Sequence, residues 1–383
     1  MKILYITDPV VVGGATQSLV DVVTAMKERG ADVTVCTSSR TELNEKLEKT
    51  GILNFACGHM AAMEVRVPSI KYYITQSIKY YRTNKKAIHT IENTVNIKEF
   101  DLIHTNSSRN DIGMILSKRH GIKHICHLRE FGQEDFNCWC YRWNYINFYN
   151  KYTDYFIAIS NAVKNSWARK GIVEEKIKVI YNGVNDQTIE SANIESFVDC
   201  NPLRMIIVGG VCRPKGQEQI IEAINLLPSD VKKRIHLDIV GWGDEQYIAS
   251  LKSKIKEYKI ENLVSFLGAR NDIGIILKKY HIGLMCSRSE GFGRVTAEYM
   301  HAGLGVIASN TGANTEIVED NICGLIYHLD NYSELANCIK RYYADRIFLM
   351  KMAKAGQDKA RKNYTKELNA DNIFDFYKFV ING

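Results

Sequence analysis

Ser287-Arg288-Ser289-Glu290-Gly291-Phe292-Gly293-Arg294-Val295-Thr296-Ala297-Glu298-Tyr299-Met300-His301-Ala302-Gly303 is the stretch on which the reading of this chain turns. The apolar run just ahead of it, residues 282–285, predicts a buried strand ending at Cys286-Ser287. A glycine-flanked loop carrying Glu290 follows, and the spacing predicts a helix over about residues 292–302, stopped by Gly303. Seven residues separate Glu290 from Glu298. With Glu290 just ahead of the helix and Glu298 two turns inside it, about 10–12 Å of rise lies between them. That is too far for two carboxylates to share a proton, but it suits holding two ends of one elongated ligand. The backbone N–H groups of Phe292, Gly293, Arg294 and Val295 would lie between the acids, and a helix start of this kind attracts an anion such as a diphosphate. A ligand with hydroxyl-rich ends and a phosphate middle is a nucleotide sugar.

Outward from this stretch the chain alternates strands and helices, the pattern of doubly wound α/β domains. The second half opens at Arg204-Met205-Ile206-Ile207-Val208-Gly209-Gly210, followed by a loop with Arg213 and Lys215 and a helix to about residue 227. A strand at 237–240 runs into Gly241-Trp242-Gly243, and another at 264–268 runs into Ala269-Arg270. The first half opens with a strand at 3–6, a loop containing Gly13-Gly14, and a helix over about 16–29. Gly13-Gly14 lacks the G-x-G-x-x-G spacing of a dinucleotide fold. A strand at 101–106 and another within 120–130 end in polar residues, the second delivering His127, Arg129 and Glu130. Ser160 is placed to cap a helix over 161–170. The expected organisation is a domain over 1–186, a linker at 187–201 where periodicity is weak, a second domain over 202–364, and a terminal segment at 365–383. Large ligands usually bind in the cleft between two such domains.

A hydrophobic content of 45% and charged content of 24% describe a globular chain of domain-forming composition. Five prolines and no Gly/Ser tract argue against a long flexible linker. The first apolar run is too short for a signal peptide, and no run approaches a membrane span, so a cytoplasmic protein is expected. Ten scattered cysteines without C-x-x-C or zinc-type spacing read as free thiols. No D-x-D motif or carboxylate cluster calls for a divalent ion, so neither metal nor cofactor is expected. A net charge of +7 favours phosphate-bearing ligands or an anionic membrane surface. Residues 66–92 concentrate that charge: Lys71, Lys79, Arg82, Lys85 and Lys86 accompany four tyrosines, with no acid before Glu92. Two readings stand there, an interfacial helix on anionic lipid headgroups and a domain helix with a solvated basic face. A break in the apolar stripe at Lys85 favours the second. The aromatic block at 139–152 reads equally as core, acceptor groove or membrane-facing surface.

Glu290-Gly291-Phe292-Gly293, Glu298-x-Met300-x-Ala302-Gly303 and Val306-Ile307-Ala308-Ser309-x-Thr311-Gly312 together resemble the E-x7-E signature of glycosyltransferase family 4. The resemblance is specific over about residues 204–326 and diffuse before, apart from Gly13-Gly14, the His127 region and Asn182-Gly183-Val184. It implies the GT-B fold, with two Rossmann-like doubly wound domains facing a central cleft and a final helix that crosses back onto the first domain. It also implies retention of anomeric configuration and a metal-independent reaction. By resemblance Glu290 contacts the donor-sugar hydroxyls, Glu298 the ribose, and Lys215 the phosphates. The backbone near Ala269-Arg270 meets the nucleobase, and His127 meets the donor sugar. Gly14, Gly241, Gly291, Phe292, Gly293, Arg294 and Val295 join the donor side, while Gly13, Arg129 and Glu130 join the acceptor side. The family's usual Arg five residues before that Lys is Gly210 here, and Arg213 is the candidate replacement. Gly305 stands where a Pro is common.

The leading expectation is therefore a retaining transferase that uses a nucleotide sugar, most simply UDP-linked. Its acceptor is a glycan or polyprenyl-linked glycan of a cell-surface polysaccharide, met at the inner face of the membrane, with no nucleic-acid partner. The competing expectations are a catalytically silent GT-B subunit that binds glycans or steadies a partner, and a GT-B epimerase or phosphorylase. The first should have lost Glu290, Glu298 and Lys215; the last lacks a pyridoxal-lysine context.

Overall fold

The computed structural model describes residues 1–8, 14–132 and 137–383, in two compact units. The first comprises Met1–Gly183 with Lys366–Gly383, the second Val184–Thr365.

In the first unit the strands are β1 (Lys2–Ile6), β2 (Asp32–Thr37), β3 (Leu53–Ala56), β4 (Met63–Val65), β5 (Leu102–Thr105), β6 (Lys123–Leu128), β7 (Cys138–Cys140), β8 (Tyr155–Ala158) and β9 (Ile177–Val179). Seven form a parallel sheet in the order β3-β2-β1-β5-β6-β8-β9, and β4 pairs antiparallel with β7. Alternate residues of β1 feed two cores, as the two-residue period of a strand requires. Ile3 and Tyr5 join Leu19, Val22 and Met26 of the helix Gly14–Glu28, with Ile373, Tyr377 and Val380 of the helix Lys366–Asn382. Leu4 and Ile6 join Ala87, Ile88 and Ile91 of the helix Ile70–Thr94, with Ile112 and Leu116 of the helix Ile112–His120. A parallel sheet covered on both faces needs near-continuous apolar strands, which is how these segments read.

In the second unit β10 (Leu203–Val208), β11 (Ile235–Val240), β12 (Val264–Gly268), β13 (Ile282–Met285), β14 (Gly305–Ser309) and β15 (Leu325–Tyr327) form a parallel sheet in the order β12-β11-β10-β13-β14-β15. Residues 187–201, expected as a linker, lie within this unit. Ile194 and Phe197 of the short turn Ile194–Val198 are buried, the Phe197 ring standing edge-on to His281 at 4.9 Å between centroids. The weak periodicity of that segment reflects two anchors in a short turn, too few to show a repeat. No helix among the described residues is long and apolar enough to cross a membrane.

Candidate active site

In the second unit β10 has β11 and β12 on one side and β13, β14 and β15 on the other. The chain reverses its direction of winding between β10 and β13, and crevices at such switch points, outside the carboxyl ends of the strands, are where open α/β sheets bind ligands. Lys215 follows β10 and Glu290 follows β13, so the topology brings them to the same crevice. Lys215 Nζ donates to Glu290 Oε2 at 2.9 Å. Glu290 Oε1 accepts from the Gly293 N–H at 3.1 Å. Glu290 is thus held at both oxygens, while Lys215 remains partly open to solvent. Glycines allow the close approach. Gly216, at φ +65°, would place a Cβ 2.2 Å from the Cys286 carbonyl oxygen, and Gly312, at φ +54°, one 2.1 Å from the Glu290 carbonyl oxygen. Behind the loop, Ser309 Oγ and Thr311 Oγ1 donate to the Ser287 carbonyl at 2.8 and 2.7 Å, and Asn314 Nδ2 donates to Ser309 Oγ at 3.1 Å. Thr296 Oγ1 and Asn314 Oδ1 are buried without a hydrogen-bond partner. Both lie where a side chain on Gly293 would point, so polar valence is left unused beside Glu290.

One turn further along the helix Arg294–His301, Arg294 Nε donates to Glu298 Oε1 at 3.1 Å. The helix begins at Arg294 rather than near residue 292, and the Gly293 N–H, expected to face an anion, is taken by Glu290. The reason is local: a carboxylate three residues ahead of that N–H reaches it as an N-cap side chain would.

In the first unit the switch lies between β1 and β5. His127, near the end of β6, is buried, and neither ring nitrogen has a partner among the described residues. Its ring stands edge-on to His104 on β5, 5.3 Å between centroids. His104 Nδ1 pairs with Tyr377 Oη at 2.6 Å, and Tyr377 Oη with Tyr5 Oη at 2.7 Å. Burial holds both His127 and His104 well below the usual histidine range, with Arg129 adding to it for both, His104 for His127 and His124 for His104, so both rings are neutral. Arg129 donates through Nε to Asn106 Oδ1 at 2.8 Å and through Nη1 to Asn182 Oδ1 at 3.2 Å. Glu130 Oε1 accepts from Ser107 Oγ at 3.1 Å, the Ser108 N–H at 2.9 Å and Ser108 Oγ at 2.5 Å. Burial pushes the Glu130 carboxyl up, the Ser108 hydroxyl pulls it down, and the Asp8 charge adds to the rise.

Two family models match the chain in tandem: Glycosyltransferase Family 4 over residues 12–188 and Glycosyl transferases group 1 over residues 193–359. The chain belongs to the family 4 glycosyltransferases. It is 30% identical over 183 residues to an uncharacterized glycosyltransferase of Methanocaldococcus jannaschii, a match spanning 46% of each chain. It is 25% identical over 313 residues to the UDP-Gal:alpha-D-GlcNAc-diphosphoundecaprenol alpha-1,3-galactosyltransferase of Escherichia coli, spanning 76% of this chain and 79% of that one. HepE of Anabaena, solved in complex with UDP, superposes with a TM-score of 0.82 at 22% identity, covering 99% of this chain and 100% of HepE. At that identity the likeness is one of fold, and the fold is GT-B.

In this family 4 glycosyltransferase the structure gathers Lys215, Glu290, Gly291 and Gly293 at one crevice, with Arg294 and Glu298 on the adjoining helix. Arg213 is on the same turn, Arg213–Lys215, but its guanidinium lies over the Tyr247 ring at 5.9 Å. Arg270 is exposed and paired with Asp272, and Ala269 beside it is exposed. Phe292 is core, its ring edge-on to Tyr364 at 5.6 Å, and Val295 is half-buried. Gly241 serves the backbone: at φ +148° its Cβ would fall 1.9 Å from the Gly209 carbonyl oxygen. Gly14 opens the helix Gly14–Glu28, and Gly13 lies outside the described residues. Among the described residues no group of three His, Cys, Asp or Glu gathers as metal ligands would. Thr296, Asn314, His104 and Tyr377 are additions that sequence reading missed. Thr296 sits inside the quoted stretch and Asn314 two residues beyond the quoted Gly312, both as ordinary helix residues, and only their unused polar atoms distinguish them.

Proposed function

We propose that this glycosyltransferase moves a sugar, with retention of configuration, from a UDP-sugar to a hydroxyl of a glycan or polyprenyl-linked glycan in cell-surface polysaccharide synthesis, at the inner face of the membrane. The carrying observation is the Lys215–Glu290 pair at the switch-point crevice, with Glu290 pinned a second time by the Gly293 N–H. The C1–phosphate bond breaks and the acceptor oxygen bonds to C1 on the same face. The acceptor proton passes to an oxygen of the departing diphosphate. Negative charge grows on that oxygen, and Lys215 is the cation positioned to meet it; such fixed charges generally supply the largest share of rate enhancement. Glu290 accepts hydrogen bonds from the sugar hydroxyls, and Glu298 from the ribose. Neutral His127, with both nitrogens uncommitted, can donate or accept one bond to the substrate. Arg129 and Glu130 shape the acceptor side. With charge neutralised by Lys215, the reaction is read as metal-independent. The E. coli relative's diphosphoundecaprenol-linked acceptor supports the acceptor class, and the HepE complex supports UDP as the nucleotide.

The test supplies UDP-, GDP- and ADP-sugars with and without a lipid-linked glycan and follows nucleotide release, then reads the product anomer by NMR. Acceptor-dependent UDP release with an axial linkage from an axial donor is the expected result. An inverted product would sink retention, and preference for another nucleotide would sink the donor assignment.

A further inference from the structure

The helix Ile70–Thr94 divides its surface unusually. Tyr80, Asn84, Ala87, Ile88 and Ile91 are buried. Ile70, Ile74, Ile78 and Tyr81 are exposed, at 75%, 53%, 49% and 46%. At 100° per residue their spacing of four, four and three puts them on one face, and the same face continues to Lys85 and Ile88. Lys85 interrupts the stripe with a charge, and beyond it the face continues to buried Ile88. This face runs into a cavity of about 440 Å³ whose apolar wall includes Tyr81, Ile88, Ile115 and Phe148 and whose cations are Lys85, Lys118, Arg119 and Arg142. Two of those cations are already matched by acids: Arg142 pairs with buried Asp111, which also takes the Tyr80 hydroxyl, and Arg119 pairs with Glu92 at 3.1 Å. Lys85 makes no ion pair among the described residues, and the Lys118 ammonium lies over the Tyr152 ring at 4.7 Å. Lys85 thus lines the apolar cavity with no acid beside it, and Lys118 is met by an aromatic side chain rather than an acid.

Lys71 and Arg82 follow the stripe along one side of the helix, Lys86 and Lys79 lie further round its solvent face, and Trp143, beside Arg142, is 91% exposed. No acid occurs between Arg66 and Glu92. A second copy of this chain would set that basic flank against itself, and a nucleic acid would have no use for three exposed isoleucines. An apolar strip rimmed by cations and an interfacial tryptophan matches a bilayer with anionic headgroups. We propose that this face docks on anionic phospholipid. The stripe enters the headgroup zone, and one lipid phosphate bridges Lys85 and Lys118 at the cavity mouth while its first methylenes cover Ile88, Ile115 and Phe148. The proposal rests on the membrane-linked acceptor read above and names the surface that would reach it.

The test is co-sedimentation of the full chain with phosphatidylcholine vesicles and with vesicles carrying a third phosphatidylglycerol, beside calorimetric titration with UDP. Binding to the anionic vesicles alone is expected. It should weaken at least about tenfold in Lys85→Glu/Lys118→Glu and in Ile74→Ser/Ile78→Ser, all at exposed positions, with UDP affinity unchanged in both. Inorganic phosphate should displace the protein no better than chloride at matched ionic strength. Equal sedimentation of wild type and variants overturns the proposal, as does a dimer abolished by Ile74→Ser/Ile78→Ser, or saturable binding of inorganic phosphate without vesicle binding. Loss of UDP binding in the wild type would count against the transferase site alone and leave the docking result standing.

Discussion

Glu290 is committed twice, to Lys215 and to the Gly293 N–H, and this sets what each substitution should do. On the function proposed, Lys215→Ala removes the cation assigned to the leaving diphosphate and should lower kcat about 100- to 1,000-fold. The fold should survive, because the lysine is partly exposed and its ion pair contributes little to stability. Glu290→Gln keeps an acceptor and a similar shape but loses the charge, so it should retain more activity than Glu290→Ala. Steady-state kinetics with circular dichroism as a fold control checks both, and wild-type turnover in Lys215→Ala would remove this site. Glu290 and Lys215 were legible in the sequence because each is an ionised group beside a glycine in a loop that follows an apolar strand. The direction of the Arg213 side chain was not legible: position on a turn does not tell which way a long side chain points, and here the guanidinium lies over the Tyr247 ring.

At the scale of elements, the site depends on loops that pass within backbone contact. Gly216→Ala should be costly twice over, through a left-handed φ of +65° and a Cβ 2.2 Å from the Cys286 carbonyl. A loss of at least about 2 kcal/mol by urea unfolding is expected, with a fall in kcat because Lys215 moves off Glu290. A variant as stable and active as wild type would show that the two loops are not packed as described. Strands and helices were readable from periodicity, since parallel strands buried on both faces are apolar runs bounded by glycine. The helix start at Arg294 was not, because only the folded loop shows the Glu290 carboxylate taking the preceding N–H. The segment 187–201 misled for a related reason: Ile194 and Phe197 bury against residues distant in sequence, which leaves no local period.

At the scale of the molecule, the first unit is assembled from both ends of the chain, since the helix Lys366–Asn382 sends Tyr377 to bond Tyr5 and His104. That unit also holds three buried neutral histidines. Burial drives His124 down to about 3 while Thr105 and Thr153 bond its two nitrogens, and His104 and His127 are held well below the usual range. In the unfolded chain these rings protonate near pH 6.5, so below that the unfolded state binds more protons and stability falls as pH falls, for His124 down to about pH 3. His124 should account for about 2 kcal/mol lost between pH 7 and pH 5, and His104 and His127 act in the same direction. Glu130, whose carboxyl is raised, offsets part of this as it takes up its proton in the folded state. Urea midpoints that decline from pH 7 to pH 5, with a shallower decline in His124→Asn, are expected; a flat profile would mean these rings are solvated. By itself the sequence determined the α/β class, the family and the two loops whose ionised groups meet as the Lys215–Glu290 pair, because periodicity and spaced chemistry are local properties of a chain. Only the tertiary structure decided which N–H groups are spent, where Arg213 lies, and that the Ile70–Tyr81 stripe is exposed and continues into a cationic cavity. Those outcomes depend on which partner arrives first in space, and a one-dimensional pattern carries no record of that competition.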